Sequence, residues 1–231
     1  MISAKHLPVP IGQEISVVSQ TICSSQKARN IGVTFDNHFL FNDHVASICK
    51  SSFYHLRNIS YIRKCLSSTT TEILVHAFPS SKLDYCNSLL YGLPNYHVKK
   101  VQHAQNAAAR LMSLARKHEH ITPILLNLHW LPIRYRIVFK ILLITYKALN
   151  NLAPSYIRDL ITPYIPSRQL RSSSKNLPVI PHFNLKTYGA KSFSVAAPTL
   201  WKTLPGDIMN SSSVSDFKNK LDTFLFKKAF F

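Results

Sequence analysis

The chain has 231 residues, 28 of them Lys or Arg and 10 Asp or Glu, for a formal charge of +18 with 46% hydrophobic side chains. That apolar content excludes a disordered basic tail, which lacks the side chains for a core. The charge favours a polyanion binder over an enzyme for acidic ligands. No two acids lie closer than six residues, so no local carboxylate pair is available to hold two metal ions.

Strand periodicity comes first. Ile15 and Val17, then Ile31, Val33 and Phe35, alternate with polar or small residues, as half-buried strands do. Ser24-Ser25-Gln26 reads as the loop between them, and Asp36-Asn37 ends the second run with turn residues. From Asn42 the period becomes helical: Val45, Ile48, Ser52, Leu56 and Ile59 share one face. Ser67 or Ser68 caps a second helix with Glu72 in its first turn. Pro79 interrupts it, and a helix resumes over Ser81 to Leu90. Tyr91-Gly92-Leu93-Pro94 is a stop and restart before a helix from Asn95 to about Leu114. Small residues (Ala104, Ala108 and Ala115) with Val101 and Leu111 make its apolar stripe, suited to close packing.

A short helix over Pro123 to Leu128 and a longer one from Pro132 to about Asn150 follow. The longer helix is apolar nearly all round, except for a strip of Arg136, Lys140 and Lys147. Another short helix, Ser155 to Ile161, precedes a Pro- and Ser-rich stretch over Pro163 to Pro181, read as a loop or extended arm. Tyr188 to Leu204 is amphipathic. The last helix opens on the capping pattern Ser213-Val214-Ser215-Asp216. The expected fold is mainly α: a helical bundle with a short N-terminal β-hairpin remnant and a C-terminal extension of loop and helices. Residues 1–38 hold the hairpin, 39–162 the helical domain, and 163–231 the basic arm and C-terminal helices.

Cys23, Cys49, Cys65 and Cys86 form no C-x-x-C pair, and His6, Pro8 and Pro10 stand where a secretory signal needs an apolar run. These features predict buried thiols in a reducing intracellular setting, nucleus or cytoplasm, and no secretion. The most apolar stretch, Ile137 to Leu149, is broken by Lys140 and Lys147 and is too short to span a membrane.

Several phrases, in order, resemble the region downstream of the catalytic core in LINE-type (non-LTR) retrotransposon reverse transcriptases of the jockey-like kind. They are Arg29-Asn30-Ile31-Gly32-Val33-Thr34-Phe35-Asp36, Asn42-Asp43-His44-Val45 and Phe53-Tyr54-His55-Leu56-Arg57-Asn58-Ile59. Next come Ser81-Lys82-Leu83-Asp84-Tyr85-Cys86-Asn87-Ser88-Leu89-Leu90-Tyr91-Gly92-Leu93 and Val101-Gln102-His103-Ala104-Gln105-Asn106-Ala107-Ala108-Ala109-Arg110. Leu128-His129-Trp130-Leu131-Pro132-Ile133-Arg134-Tyr135-Arg136-Ile137 and Ser194-Val195-Ala196-Ala197-Pro198-Thr199-Leu200-Trp201 complete the series. The resemblance spans about Ile15 to Leu225. It implies the C-terminal part of an RNA-directed DNA polymerase: last palm strands, helical thumb and downstream segment. In that family the metal-binding aspartates lie upstream in an F/Y-x-D-D turn, and no Asp-Asp occurs here. A non-catalytic chain, with no metal and no cofactor, is therefore expected.

Between Asp84 and Asp207 sixteen cations face two acids, Glu119 and Asp159. Three groups in this interval are the candidate nucleic-acid contacts. Lys99, Lys100, Arg110, Arg116 and Lys117 are expected as helix-surface cations along the minor groove of a template–primer duplex. Arg136, Lys140 and Lys147 form the strip described above. Arg168, Arg171 and Lys175 sit on the expected arm. The expected partner is RNA or an RNA/DNA hybrid held by its backbone, with no membrane and no small-molecule substrate. Trp130 and Trp201 are expected as core anchors, and His118-Glu119-His120 lacks a third ligand for a metal. The alternative is a stand-alone basic helical adaptor or scaffold that binds RNA without enzymatic activity.

Overall fold

The computed structural model describes residues 14–17, 20–23, 25–164, 177–185 and 188–231. The fold is mainly helical, as expected. Two antiparallel hairpins precede the helices: β1 (Glu14–Val17) with β2 (Gln20–Cys23), and β3 (Lys27–Asn30) with β4 (Val33–Asp36). One hairpin built from two longer strands was the expectation. The difference lies at Ile31, which is not a strand residue. Asn30 pairs with Val33, so Ile31 and Gly32 form a two-residue loop with φ of 44° and 78°. A mirror-image turn of this kind matches strand twist and needs both residues left-handed, which glycine adopts without strain and isoleucine does not. Ile31 is left 79% exposed. The Tyr85 hydroxyl donates to its carbonyl at 2.6 Å and holds the strained residue in place.

The helices are α1 (Asn42–Ile62), α2 (Ser68–Val75), α3 (Ser81–Asp84), α4 (Asn95–Ser113), α5 (Ile121–Asn127), α6 (Ile133–Leu149), α7 (Ser155–Arg158), α8 (Phe193–Trp201), α9 (Gly206–Met209) and α10 (Val214–Phe230). They belong to two compact units. One contains residues 1–86 and 93–112, and the other contains 87–92 and 113–231. The helical stretch expected over 39–162 is thus divided, and α6 belongs with the C-terminal helices.

In the first unit β4 runs into α1 through a loop organised by Asp36. Its carboxylate accepts from the backbone N–H groups of His38, Leu40 and Phe41 at 3.0, 2.9 and 2.6 Å. Phe35, Phe39 and Phe41 cluster around this turn with ring centroids 5.8–6.2 Å apart. α1 buries Val45, Ile48, Ser52, Leu56 and Ile59, the stripe read from the sequence. Ser67 caps α2 by accepting from Thr70 N–H, while Glu72 falls beyond the first turn. Pro79 does not stop the chain as expected. A π-helical turn, His76–Ser80, takes it up between α2 and α3, since a wider turn relieves the missing N–H and the ring clash. The segment expected to be helical to Leu90 breaks instead at Cys86, whose φ is 51°. A 3₁₀ turn over Asn87–Leu90 follows and packs on α6 in the second unit.

α4 runs in the same direction as α1. Tyr96 donates to Asn42 Oδ1 at their N-terminal ends. At the other ends the Arg63 guanidinium donates to the carbonyls of Leu111, Met112 and Leu66 at 3.2, 3.3 and 3.1 Å. The charge-assisted bonds to Leu111 and Met112 satisfy orphan carbonyls at the α4 C-terminus, where the helix dipole favours a cation. The face α4 buries is His97, Val101, Ala104, Gln105, Ala108 and Ala109, in which small side chains predominate. Ala115 falls past the helix end.

The second unit is centred on α6 and α10, which run antiparallel. The Tyr135 hydroxyl near the start of α6 donates to the Lys228 carbonyl near the end of α10. The Tyr146 hydroxyl near the end of α6 donates to Ser211, just before α10 begins. Tyr146, Trp201 and Phe217 stack in the centre, with Phe217 4.2 Å from Tyr146 and 5.8 Å from Trp201. Leu131, Leu142, Leu204, Ile208, Leu221 and Leu225 complete this core. Trp130 and Trp201 are both buried. Ser213 caps α10 by accepting from Asp216 N–H, as the sequence pattern predicts. Gly92 has φ 69°, and a Cβ there would meet Lys191 Cγ at 2.7 Å. The base of the Pro/Ser-rich stretch is pinned, with Tyr164 N–H bonded to Leu177 and Val179 N–H to Thr162.

Candidate functional site

α4 carries the most continuous cationic face of the expected contacts. At 100° per residue, Lys99, Arg110, His103, Tyr96 and Lys100 occupy an arc of about 100°, opposite the buried stripe. Lys99 and Lys100 are exposed and Arg110 is half-buried. The Lys100 ammonium lies 5.7 Å from the Tyr96 ring centroid, a cation–π contact that orders a flexible side chain. No acid occurs anywhere in α4. Its outer face therefore presents positive charge without intrahelical neutralisation.

The other expected cations divide. Arg116 and Lys117 are exposed but are not on the helix. α4 ends at Ser113 and Leu114 takes a left-handed φ of 54°, turning the chain. The Arg116 N–H is held there by Glu119 Oε1 at 2.7 Å. On α6, Arg136, Lys140 and Lys147 do line one side, yet all three are half-buried. Arg136 has its Nη1 buried; nearby on α10, burial raises the pKa of Asp222, and the charges of His129 and Arg136 offset that rise only in part. That burial sets Arg136 apart from the exposed cations of α4. Arg134, absent from the expected set, is the exposed arginine of the same turn. Arg168, Arg171 and Lys175 lie outside the described residues.

Three of the acids serve local structure. Asp36 organises its loop. Asp43 pairs with Lys27 at 2.7 Å, and Asp216 pairs with Lys220 at 2.8 Å. Among the described residues no group of three His, Cys, Asp or Glu side chains is placed to hold a metal ion. Cys49 and Cys86 are only half-buried and Cys65, the last residue of a 3₁₀ turn over Arg63–Cys65, is exposed, so the expectation of buried thiols is not met at these three positions. Among the described residues no helix is long and apolar enough to cross a membrane.

Sequence reasoning missed a second solvent-facing row, on α1. Lys50, Tyr54, Arg57 and Tyr61 follow one another at spacings of four, three and four residues, which places them on one side of the helix. A helical-wheel reading of the outer face of α1, rather than of its apolar stripe, was the signal that finds them.

Two buried histidines sit beneath these helices. His97 of α4 is 2% exposed, and neither ring nitrogen has a hydrogen-bond partner. Burial lowers its pKa, Lys100 adds to that, and Asp36 opposes it. Burial also lowers the pKa of His44, whose Nδ1 accepts a long bond from Thr34 N–H at 3.5 Å. Both imidazoles are therefore neutral in the folded state near neutral pH. Because the folded pKa lies below the unfolded value of about 6.5, this stability is fully present above that value. It is lost as pH falls below it, where the unfolded chain takes up the protons first. Thermal melts at pH 7.5 and pH 5 are expected to show a lower midpoint at pH 5, with the difference reduced in His97→Met. A pH-independent midpoint contradicts this account.

Comparison with family models, with curated proteins and with solved structures finds no match.

Proposed function

We propose that this chain holds nucleic acid by its phosphate backbone, in the manner of the thumb and downstream segments of a non-LTR reverse transcriptase, and does not itself catalyse polymerisation. The observation that carries the reading is the outer face of α4, where Lys99 and Lys100 stand exposed on an acid-free helix. Cations spread along a helix contact phosphates at several points without reading bases, which suits a template–primer duplex of any sequence. The ordered phrases from Arg29 to Trp201 support the family assignment. The absence of an Asp-Asp pair in the sequence supports the non-catalytic part, because two-metal phosphoryl transfer needs clustered carboxylates.

Filter retention of an RNA/DNA hybrid at low salt, equal for two unrelated sequences, is the expected result. No retention overturns the binding reading. Nucleotide incorporation by the purified chain overturns the non-catalytic one.

A further inference from the structure

α1 presents a surface of different chemistry from that of α4. Lys50, Tyr54, Arg57 and Tyr61 fall within about 60° of one another on the helix wheel and span about 16 Å along its axis. Tyr54 is 61% exposed and Tyr61 is 79% exposed, with Phe53 flanking them at 40%. Large aromatic side chains at such exposure lose the burial that normally holds them. The Tyr54 ring meets His55 edge-on at 5.4 Å, and His55 stacks on Phe78 at 5.0 Å. The Tyr54 ring is thereby braced, and the aromatic surface continues onto the π-helical turn.

The charge on this face is positive throughout its length. Among the described residues no acid pairs with Lys50 or Arg57. The single acid of α1, Asp43, lies at its first turn and is neutralised by Lys27. The row therefore alternates cation, ring, cation, ring.

We infer that the outer face of α1 binds single-stranded nucleic acid, with Lys50 and Arg57 on successive phosphates and Tyr54 and Tyr61 stacking on unpaired bases. An apolar protein partner would not call for unpaired cations between the rings. A duplex would not engage the rings, since its bases are already stacked. Single strands offer both groups at once, and base–aromatic stacking tolerates any sequence. The inference goes beyond the duplex reading of α4 and uses none of its residues.

The test uses the full chain and a labelled oligouridylate in a fluorescence-anisotropy titration at several salt concentrations. Tyr54→Leu/Tyr61→Leu is expected to weaken binding about 30-fold or more with an unchanged salt slope. Tyr54→Phe/Tyr61→Phe is expected to stay within about threefold of the parent, because it keeps both rings. Lys50→Gln/Arg57→Gln is expected to flatten the slope by about 1.4, from roughly 0.7 per phosphate on a single strand. Circular dichroism checks that each variant keeps its helices, as the exposure of all four positions predicts. Equal binding by the leucine pair and the parent overturns the inference, as does the absence of oligouridylate binding at low salt. A leucine pair that loses oligouridylate but keeps the RNA/DNA hybrid separates this surface from the duplex-binding reading. Loss of hybrid binding alone rejects that reading and leaves this one standing.

Discussion

Phe217→Ala is expected to lower the stability of the second unit by about 3–5 kcal/mol, the range for emptying a fully buried aromatic site. Phe217 is the middle of three stacked rings, between Tyr146 and Trp201, and it is completely enclosed. Its neighbours cannot close the gap freely. Tyr146 is tethered by its hydroxyl to Ser211, and Trp201 is fixed within α8. The Trp201 Nε1 is already buried without a hydrogen-bond partner, so water drawn toward the cavity finds a polar atom there. Against a typical total of 5–15 kcal/mol, the loss is a large fraction. It corresponds to a melting point lower by roughly 10–20 °C. Differential scanning calorimetry with tryptophan fluorescence checks it, and Phe217→Leu, which keeps most of the volume, is expected to lose less than half as much. A midpoint within a few degrees of the parent for the alanine variant contradicts the stacked core.

Lys99→Gln/Lys100→Gln is expected to reduce hybrid affinity by roughly 60-fold at 0.1 M salt, since each phosphate contact contributes about 0.9 to the log–log salt slope. Both side chains are exposed, and Lys100 rests over the Tyr96 ring in a cation–π contact. Stability is therefore expected to change by less than about 0.5 kcal/mol. That separation of binding from folding distinguishes a functional face from a merely solvated one. Arg136→Gln is a contrasting control: its guanidinium is partly buried, with Nη1 out of solvent, so stability and not the salt slope is expected to suffer. Hybrid gel-shift titrations alongside thermal melts of the two variants read both effects. Unchanged affinity in the lysine pair removes α4 from the interface.

The long helices were legible because their apolar stripes are dense and regular. α1 follows the face of Val45, Ile48, Ser52, Leu56 and Ile59, and the α10 start follows from the Ser213 cap. The errors fall where a single residue's backbone overrides a pattern. Ile31 fits a strand by period, yet Gly32 beside it allows the tight turn that expels it. Cys86 and Leu114 adopt left-handed φ values, which nothing in their side chains announces, and each ends a helix. Pro79 reads as a break, but the broader π turn accepts it. At the candidate site the sequence locates the cations on α4 but not their partners. The burial of the Arg136 Nη1 and its electrostatic influence on Asp222, 86 positions later in the chain, are carried by no local pattern. The α1 row was overlooked because its tyrosines count as apolar in composition and solvent-facing only in three dimensions.

The salt dependence of RNA/DNA hybrid binding by the intact chain tests the central claim most directly. With phosphates contacted by at least Lys99 and Lys100, the plot of log K against log salt is predicted to be linear with a slope of about −2 or steeper. A slope near zero, or no binding at about 50 mM salt, would contradict a backbone-binding function for this protein.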